Sequence, residues 1–229
     1  MTQMKADAET TQQLIDLGYH DQPGATRHDR PLLVCDVDEV VLHLVDPFVE
    51  VLQERGYTLK SHSFKLTGNV FDANGREASQ EEVWQGLTQL FEEQAKRQSI
   101  VEGVVENLNA LSKHIDIIFL TNMPHAFGNI RRDYLVSHGL DFPLVTNTRS
   151  KVPAIQILQT HCHRTIGFVD DTPKNLEQVN AGIENIHLFH FMANEEFRGL
   201  AGPIAETHIS SGDWTATANK IATVLIENT

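Results

Sequence analysis

Four short, mostly apolar runs punctuate the chain, at residues 31–35, 115–120, 165–169 and 186–191. They lack the strict polar alternation of a half-exposed strand. Such runs read as strands buried on both faces, the signature of a parallel sheet. Helical patterns separate them. Residues 99–114 carry apolar side chains at 100, 101, 104, 105, 108 and 111, close to one stripe of a 3.6-residue period. Residues 127–138 stop before Gly139, a helix-end signal. Residues 153–160 and 175–180 predict two further helices, and residues 4–18 a short one near the start. Residues 213–226 predict a last helix, with Trp214, Ala218, Ile221, Val224 and Leu225 as its apolar positions. Strands alternating with helices predict an α/β fold, a Rossmann-like three-layer sandwich around a central, mainly parallel sheet.

Residues 46–99 interrupt that alternation. Residues 48–55 read as a helix closed by Gly56, and residues 57–67 alternate imperfectly. Asn74 and Gly75 give a hairpin turn signal. Ser79 and Glu82 form a capping-box pattern that opens an amphipathic helix running to Gln98. The segment predicts a small α+β cap, a hairpin plus helices, inserted over the carboxyl end of the sheet. That end is where open α/β sheets place their sites. The expected division is a core of residues 1–45 and 100–229, with the cap at 46–99.

A length of 229 residues suits one domain with an insertion, and 41% hydrophobic residues suffice for a core. Disordered, collagen-like and disulfide-scaffold classes are thereby excluded. Against 18 Lys+Arg stand 31 Asp+Glu, a formal charge of −13. This field repels polyanions and argues against nucleic acid as a partner. It leaves room for a small phosphorylated substrate, because a metal ion reverses the field locally. Cys35 and Cys162 read as small buried hydrophobes in a reducing compartment. Residues 1–9 show no apolar signal-peptide stretch, and no run nears the roughly 18 apolar residues of a membrane span. The expectation is a cytoplasmic protein with no membrane partner; its oligomeric state is left open.

The positions just past each predicted strand carry the chemistry. Asp36 and Asp38 follow the first run, Thr121 and Asn122 the second, and Asp170 and Asp171 the third. Lys151 lies on the loop entering the helix between the second and third. In a parallel sheet these positions converge on one edge. Four carboxylates in one small volume repel unless a cation is bound, and oxygen-only ligands favour a hard ion, Mg²⁺ first.

These residues resemble the four motifs of the haloacid dehalogenase superfamily, over most of residues 31–191. An apolar strand ending in Asp36-x-Asp38-x-Val40 matches the first, and a strand ending in Thr121 the second. Lys151 ahead of a helix matches the third, and a strand ending in Asp170 and Asp171 the fourth. The resemblance implies Asp36 as nucleophile, forming an aspartyl-phosphate, and Asp38 as general acid and then general base. It implies Mg²⁺ held by Asp36, the Asp38 carbonyl oxygen and the paired acids, with Asp171 the direct ligand and Asp170 behind it. Thr121 and the Asn122 backbone would bind phosphoryl oxygens, and Lys151 would neutralise Asp36 and the transferring group. An acid at position 38 favours phosphoester chemistry over dehalogenation, because an alkoxide needs a proton and a halide does not. Asn175 departs from the pattern, standing where many members carry another acid.

The implied activity is that of a Mg²⁺-dependent phosphomonoesterase acting on a small phosphorylated metabolite. A phosphotransferase or mutase and a catalytically silent binding module are the alternatives. The other conspicuous residues have blander readings. His161, Cys162 and His163 are expected in a solvated turn, and Arg131 and Arg132 on a helix face. His43 and His125 are expected in packing or solvent rather than on substrate, and Lys60, His62, Lys65 and Arg76 on a solvated hairpin.

Overall fold

The computed structural model describes residues 5–202, 204 and 206–227. In chain order its elements are α1 (Ala8–Asp16), β1 (Leu32–Cys35), α2 (Val45–Glu54), β2 (Tyr57–Leu59), β3 (Val70–Asp72), α3 (Gln80–Glu92), α4 (Gln94–Arg97), α5 (Val104–Leu111) and β4 (Asp116–Asn122). After these come α6 (Gly128–Ser137), β5 (Leu144–Asn147), α7 (Val152–Thr160), β6 (Ile166–Asp170), α8 (Pro173–Gly182), β7 (Ile186–Phe191), α9 (Glu195–Leu200), β8 (Thr207–Ser211) and α10 (Trp214–Ala222).

Six strands form one sheet in the order β5-β4-β1-β6-β7-β8, and every neighbouring pair is parallel. Successive side chains of a strand point to opposite faces. Leu33, Cys35, Ile117, Phe119, Val169 and Phe189 therefore pack under α5 and α10. Leu32, Val34, Ile118, Leu120, Phe168 and Leu188 pack under α1, α7 and α8. Both faces are covered, which is why the central strands read as apolar runs. The α/β, three-layer expectation holds.

Several boundaries differ from the sequence reading, each for a physical reason. The first helix begins at Ala8, where the Asp7 side chain accepts the Thr10 amide as N-cap; Met4 lies outside the described residues. The stripe at 99–114 is helical only from Val104. Ile100 pairs with Leu42, and the Val101 amide donates to the Val41 carbonyl. Gly103, at φ 77, then turns the chain into α5. The strands β5 and β8 were not foreseen. The final helix ends at Ala222 and continues as a π-turn over Thr223–Glu227.

Between β1 and α5 the chain builds a second, smaller cluster. Strands β2 and β3 pair antiparallel, with Tyr57 opposite Asp72. The Asn74–Gly75 turn sends the chain back, so that the Ala78 amide donates to the Val70 carbonyl. The Ser79–Glu82 capping box starts α3 as expected, but Glu93 breaks the helix before α4. Helices α2 and α3 cross closely because Gly86 has no side chain; a Cβ there would lie 3.1 Å from Phe48 Cε2. Phe48, Val51, Leu52, Val70, Val83 and Leu90 fill this cluster. Among the described residues no helix is long and apolar enough to cross a membrane.

Candidate active site

Register sets the site. Cys35 is level with Phe119 on β4 and with Val169 on β6. One residue further, Asp36 leaves β1 level with Asp170, and its amide donates to the Val169 carbonyl at 2.9 Å. Past Asp36 the chain folds tightly on itself. The Val41 and Leu42 amides both donate to the Val37 carbonyl, and Glu39 sits at φ 59 at the apex. Thr121 and Asn122 end β4 beside it.

Lys151, at the start of α7 and 1% exposed, closes the group from the side. Its Nζ lies 2.7 Å from Asp36 Oδ1 and 2.7 Å from Asp170 Oδ2. Asp170 is otherwise satisfied, accepting from the Thr172 amide at 2.8 Å and Asn175 Nδ2 at 3.0 Å. Asn175 thus holds Asp170 by an amide, where another acid would repel it. Burial lowers the pKa of the Lys151 ammonium, but Asp170 and Asp36 outweigh that and raise it. Burial pushes the Asp36 carboxyl above its ordinary range; Lys151 opposes this and Asp170 adds to it.

Asp36, Asp170 and Asp171 bring carboxylate oxygens within 4.8 Å of one another. Burial, then Asp170 and Asp36, push the Asp171 carboxyl well above its ordinary range. Lys151 supplies one positive charge to three acids. An all-oxygen, charge-crowded group of this kind fits a hard divalent cation. Among the described residues Thr121 Oγ1, at the end of β4, is buried without a hydrogen-bond partner. Asn122 Oδ1 accepts from Asn147 Nδ2 at 2.7 Å, which fixes its amide at the rim.

Asp38 is held differently. Arg131 Nη1 lies 3.0 Å from Asp38 Oδ1, and Gln98 Nε2 donates to the same oxygen at 2.9 Å. Arg131 lies in α6, as the helix-face expectation has it, but on the buried face, at 0% exposure. Its neighbour Ile130 is exposed instead, the reverse of what side-chain polarity suggests. Nothing in the local sequence marks Arg131; its partner is 93 residues away and is met only in the folded chain.

His125 is engaged with Asp7 and Thr146, at 3.0 and 2.6 Å, in a network that fastens α1 to β5. His161 is buried against the His20 and Ile157 carbonyls, whereas Cys162 is partly exposed and His163 exposed, so the solvated-turn expectation holds for the end of the turn and fails for His161. Cys35 is buried, whereas Cys162 is partly exposed. Arg76 is committed to Asp72 and Glu82 on the hairpin surface.

No protein-family model matches this sequence, and no curated protein matches it. Solved structures do. A conserved haloacid dehalogenase-like protein from Agrobacterium tumefaciens superposes with a TM-score of 0.57 at 14% identity, over 84% of this chain and 98% of that one. A predicted phosphoglycolate phosphatase from Haemophilus somnus gives 0.55 at 14% identity, over 90% and 100%. A β-phosphoglucomutase candidate from Thermotoga maritima gives 0.53 at 14% identity, over 85% and 100%. The chain has the haloacid dehalogenase-like fold.

Proposed function

We propose that this chain, built on the haloacid dehalogenase-like fold, is a Mg²⁺-dependent phosphomonoesterase acting on a small phosphorylated metabolite. The observation that carries the reading is the Lys151 ammonium bridging Asp36 and Asp170 beside the unpartnered Thr121 hydroxyl.

In this reading an Asp36 carboxylate oxygen attacks phosphorus, and the bond from phosphorus to the ester oxygen breaks. Asp38 gives the departing oxygen its proton. Asp38 then takes a proton from a water that attacks the aspartyl-phosphate, freeing inorganic phosphate and regenerating Asp36. Thr121 Oγ1 and the Asn122 backbone N–H bind phosphoryl oxygens, and Lys151 keeps the nucleophile oriented and offsets charge. Asp36, Asp171 and the Asp38 carbonyl oxygen would hold Mg²⁺, with Asp170 behind them. Once bound, the ion offsets the repulsion between phosphate and carboxylates.

Residues 46–99 serve in this reading as a cap. Trp84 of α3, 52% exposed, faces a cavity of about 310 Å³ lined also by Asn122, Met123, Pro124, Asn147 and Thr148. That lining carries no charged side chain, which favours a small leaving group without a second phosphate. A phosphotransferase would share the first half-reaction, and the likeness to a β-phosphoglucomutase candidate keeps that reading in view.

The test is phosphate release from an aryl phosphate with Mg²⁺, with excess chelator, and by Asp36→Asn. Metal-dependent release abolished in the variant supports a hydrolase. Product that forms only with an added acceptor supports a transferase. Silence across a broad panel of phosphorylated metabolites supports a binding module.

A further inference from the structure

Arg131 makes three separate contacts with its guanidinium. Nη1 meets Asp38 Oδ1 at 3.0 Å, Nη2 donates to Gln98 Oε1 at 3.1 Å, and Nε donates to Gln94 Oε1. Asp38 is its only acidic partner among the described residues. Gln98 is equally committed. Its Nε2 donates to Asp38 Oδ1 at 2.9 Å and to the His43 carbonyl at 3.0 Å. The His43 amide in turn donates to the Ser99 carbonyl at 2.9 Å. Gln98 thus stitches together the link leaving the core, the link returning to it, and the Asp38 carboxylate.

A buried guanidinium is costly to desolvate, and a buried ion pair is weak grounds for stability; apolar replacements of similar volume often serve a core as well. Both contacts also fall on Oδ1. Among the described residues no hydrogen bond is made to Asp38 Oδ2. A carboxylate pinned by one oxygen keeps the other free in a fixed direction. Positioning of this kind matters because a displacement of about 1 Å can cost roughly a hundredfold in rate.

We infer that Arg131 and Gln98 are positioning residues that hold Asp38 by Oδ1, present Oδ2 to the leaving group, and tie that carboxyl to both links of the 46–99 segment. This rests on the phosphomonoesterase reading of the site. The protonated Asp38 gives its Oδ2 proton to the ester oxygen as the bond to phosphorus breaks, and both Oδ1 contacts persist.

The test compares kcat/KM for 4-nitrophenyl phosphate, whose phenolate departs without a proton, with that for glycerol 2-phosphate, whose alkoxide needs one. Because kcat/KM covers only steps through leaving-group departure, the ratio isolates the proton donor. Asp38→Asn sets the scale. Gln98→Leu and Arg131→Lys are each expected to lower the alkyl value by about tenfold or more and the aryl value by at most about threefold, within the range of general-acid effects. If Arg131→Lys does not fold, Gln98→Leu alone carries the comparison. Equal losses on both esters mean a structural strut and overturn the inference. A wild-type chain inert toward both esters and toward a broad panel of phosphorylated metabolites overturns the phosphatase reading itself, before any variant is compared.

Discussion

The Lys151 ammonium lies 2.7 Å from Asp36 Oδ1, and Asp170 receives the same ammonium from the other side. One side chain on α7 therefore fixes two acids that end adjacent strands. Removing a partner from a buried ion pair costs far more than the pair contributes, roughly 3–5 kcal/mol. Lys151→Met is expected to lose about that much stability by urea denaturation. Its phosphate release should fall at least about a hundredfold, since Asp36 loses its orienting cation.

The crowding of Asp36, Asp170 and Asp171 within 4.8 Å predicts that Mg²⁺ stabilises the fold. A ligand present at a hundred times its Kd stabilises by about 2.7 kcal/mol. Thermal melts should rise with Mg²⁺ and fall back with chelator. In Asp171→Asn the metal-free melt should rise, because a repelling carboxylate is gone, and the Mg²⁺ shift should shrink. An unchanged Mg²⁺ shift in that variant would remove Asp171 from the ligand set.

Glu39 is buried at the apex of the turn after Asp36 and feeds three amides. Its Oε1 accepts from Leu44 at 2.7 Å and Val45 at 2.6 Å, and its Oε2 from Asn194 at 2.8 Å. It thereby joins the start of α2 to the loop before α9. Glu39→Ala strands three donors, each costing about 1–3 kcal/mol when buried. The expected loss is at least about 3 kcal/mol, with faster amide exchange at Leu44, Val45 and Asn194. Protection unchanged at those three amides would contradict this.

Asp7 predicts how the fold responds to acid. Burial pushes its carboxyl up, but hydrogen bonds from the Thr10 amide and from the Thr148 and Thr10 hydroxyls, with the His125 ring, hold it well below the ordinary range. A depressed carboxyl stabilises the folded state above the unfolded pKa of about 4, and that contribution fades as pH falls further. Asp7→Asn should cost up to about 1 kcal/mol at neutral pH. Its unfolding free energy should approach that of wild type progressively as pH falls from about 4 through the depressed folded-state pKa of Asp7. A gap that stays constant with pH would contradict the charge-based account.

The central strands were legible because both faces of β1, β4, β6 and β7 are covered, and their sequences show it as mostly apolar runs without strict polar alternation. The edge strands were not. β8 lies at the sheet edge with His208 and Ser210 exposed, so those positions need no apolar character. β5 is four residues long, and half of it is Thr146 and Asn147, polar residues recruited into hydrogen bonds with α1 and Asn122. The acids and Lys151 could be placed from strand ends alone, since a parallel sheet gathers those positions on one edge. Arg131 could not be, because its burial is decided by Gln98, Gln94 and Asp38, all distant in sequence. The 99–114 stripe misled for a related reason: Ile100 and Val101 are apolar because they pair with residues 41–42.

The most direct test of the account is to quench the wild-type chain in acid during turnover of acetyl phosphate with Mg²⁺ and to map the phosphoryl group by peptide mass spectrometry. The account predicts it on the peptide carrying Asp36, absent in Asp36→Asn and accumulating in Asp38→Asn, where attack by water is slowed. Turnover with the phosphoryl group on another residue, or undiminished turnover by Asp36→Asn, would contradict it.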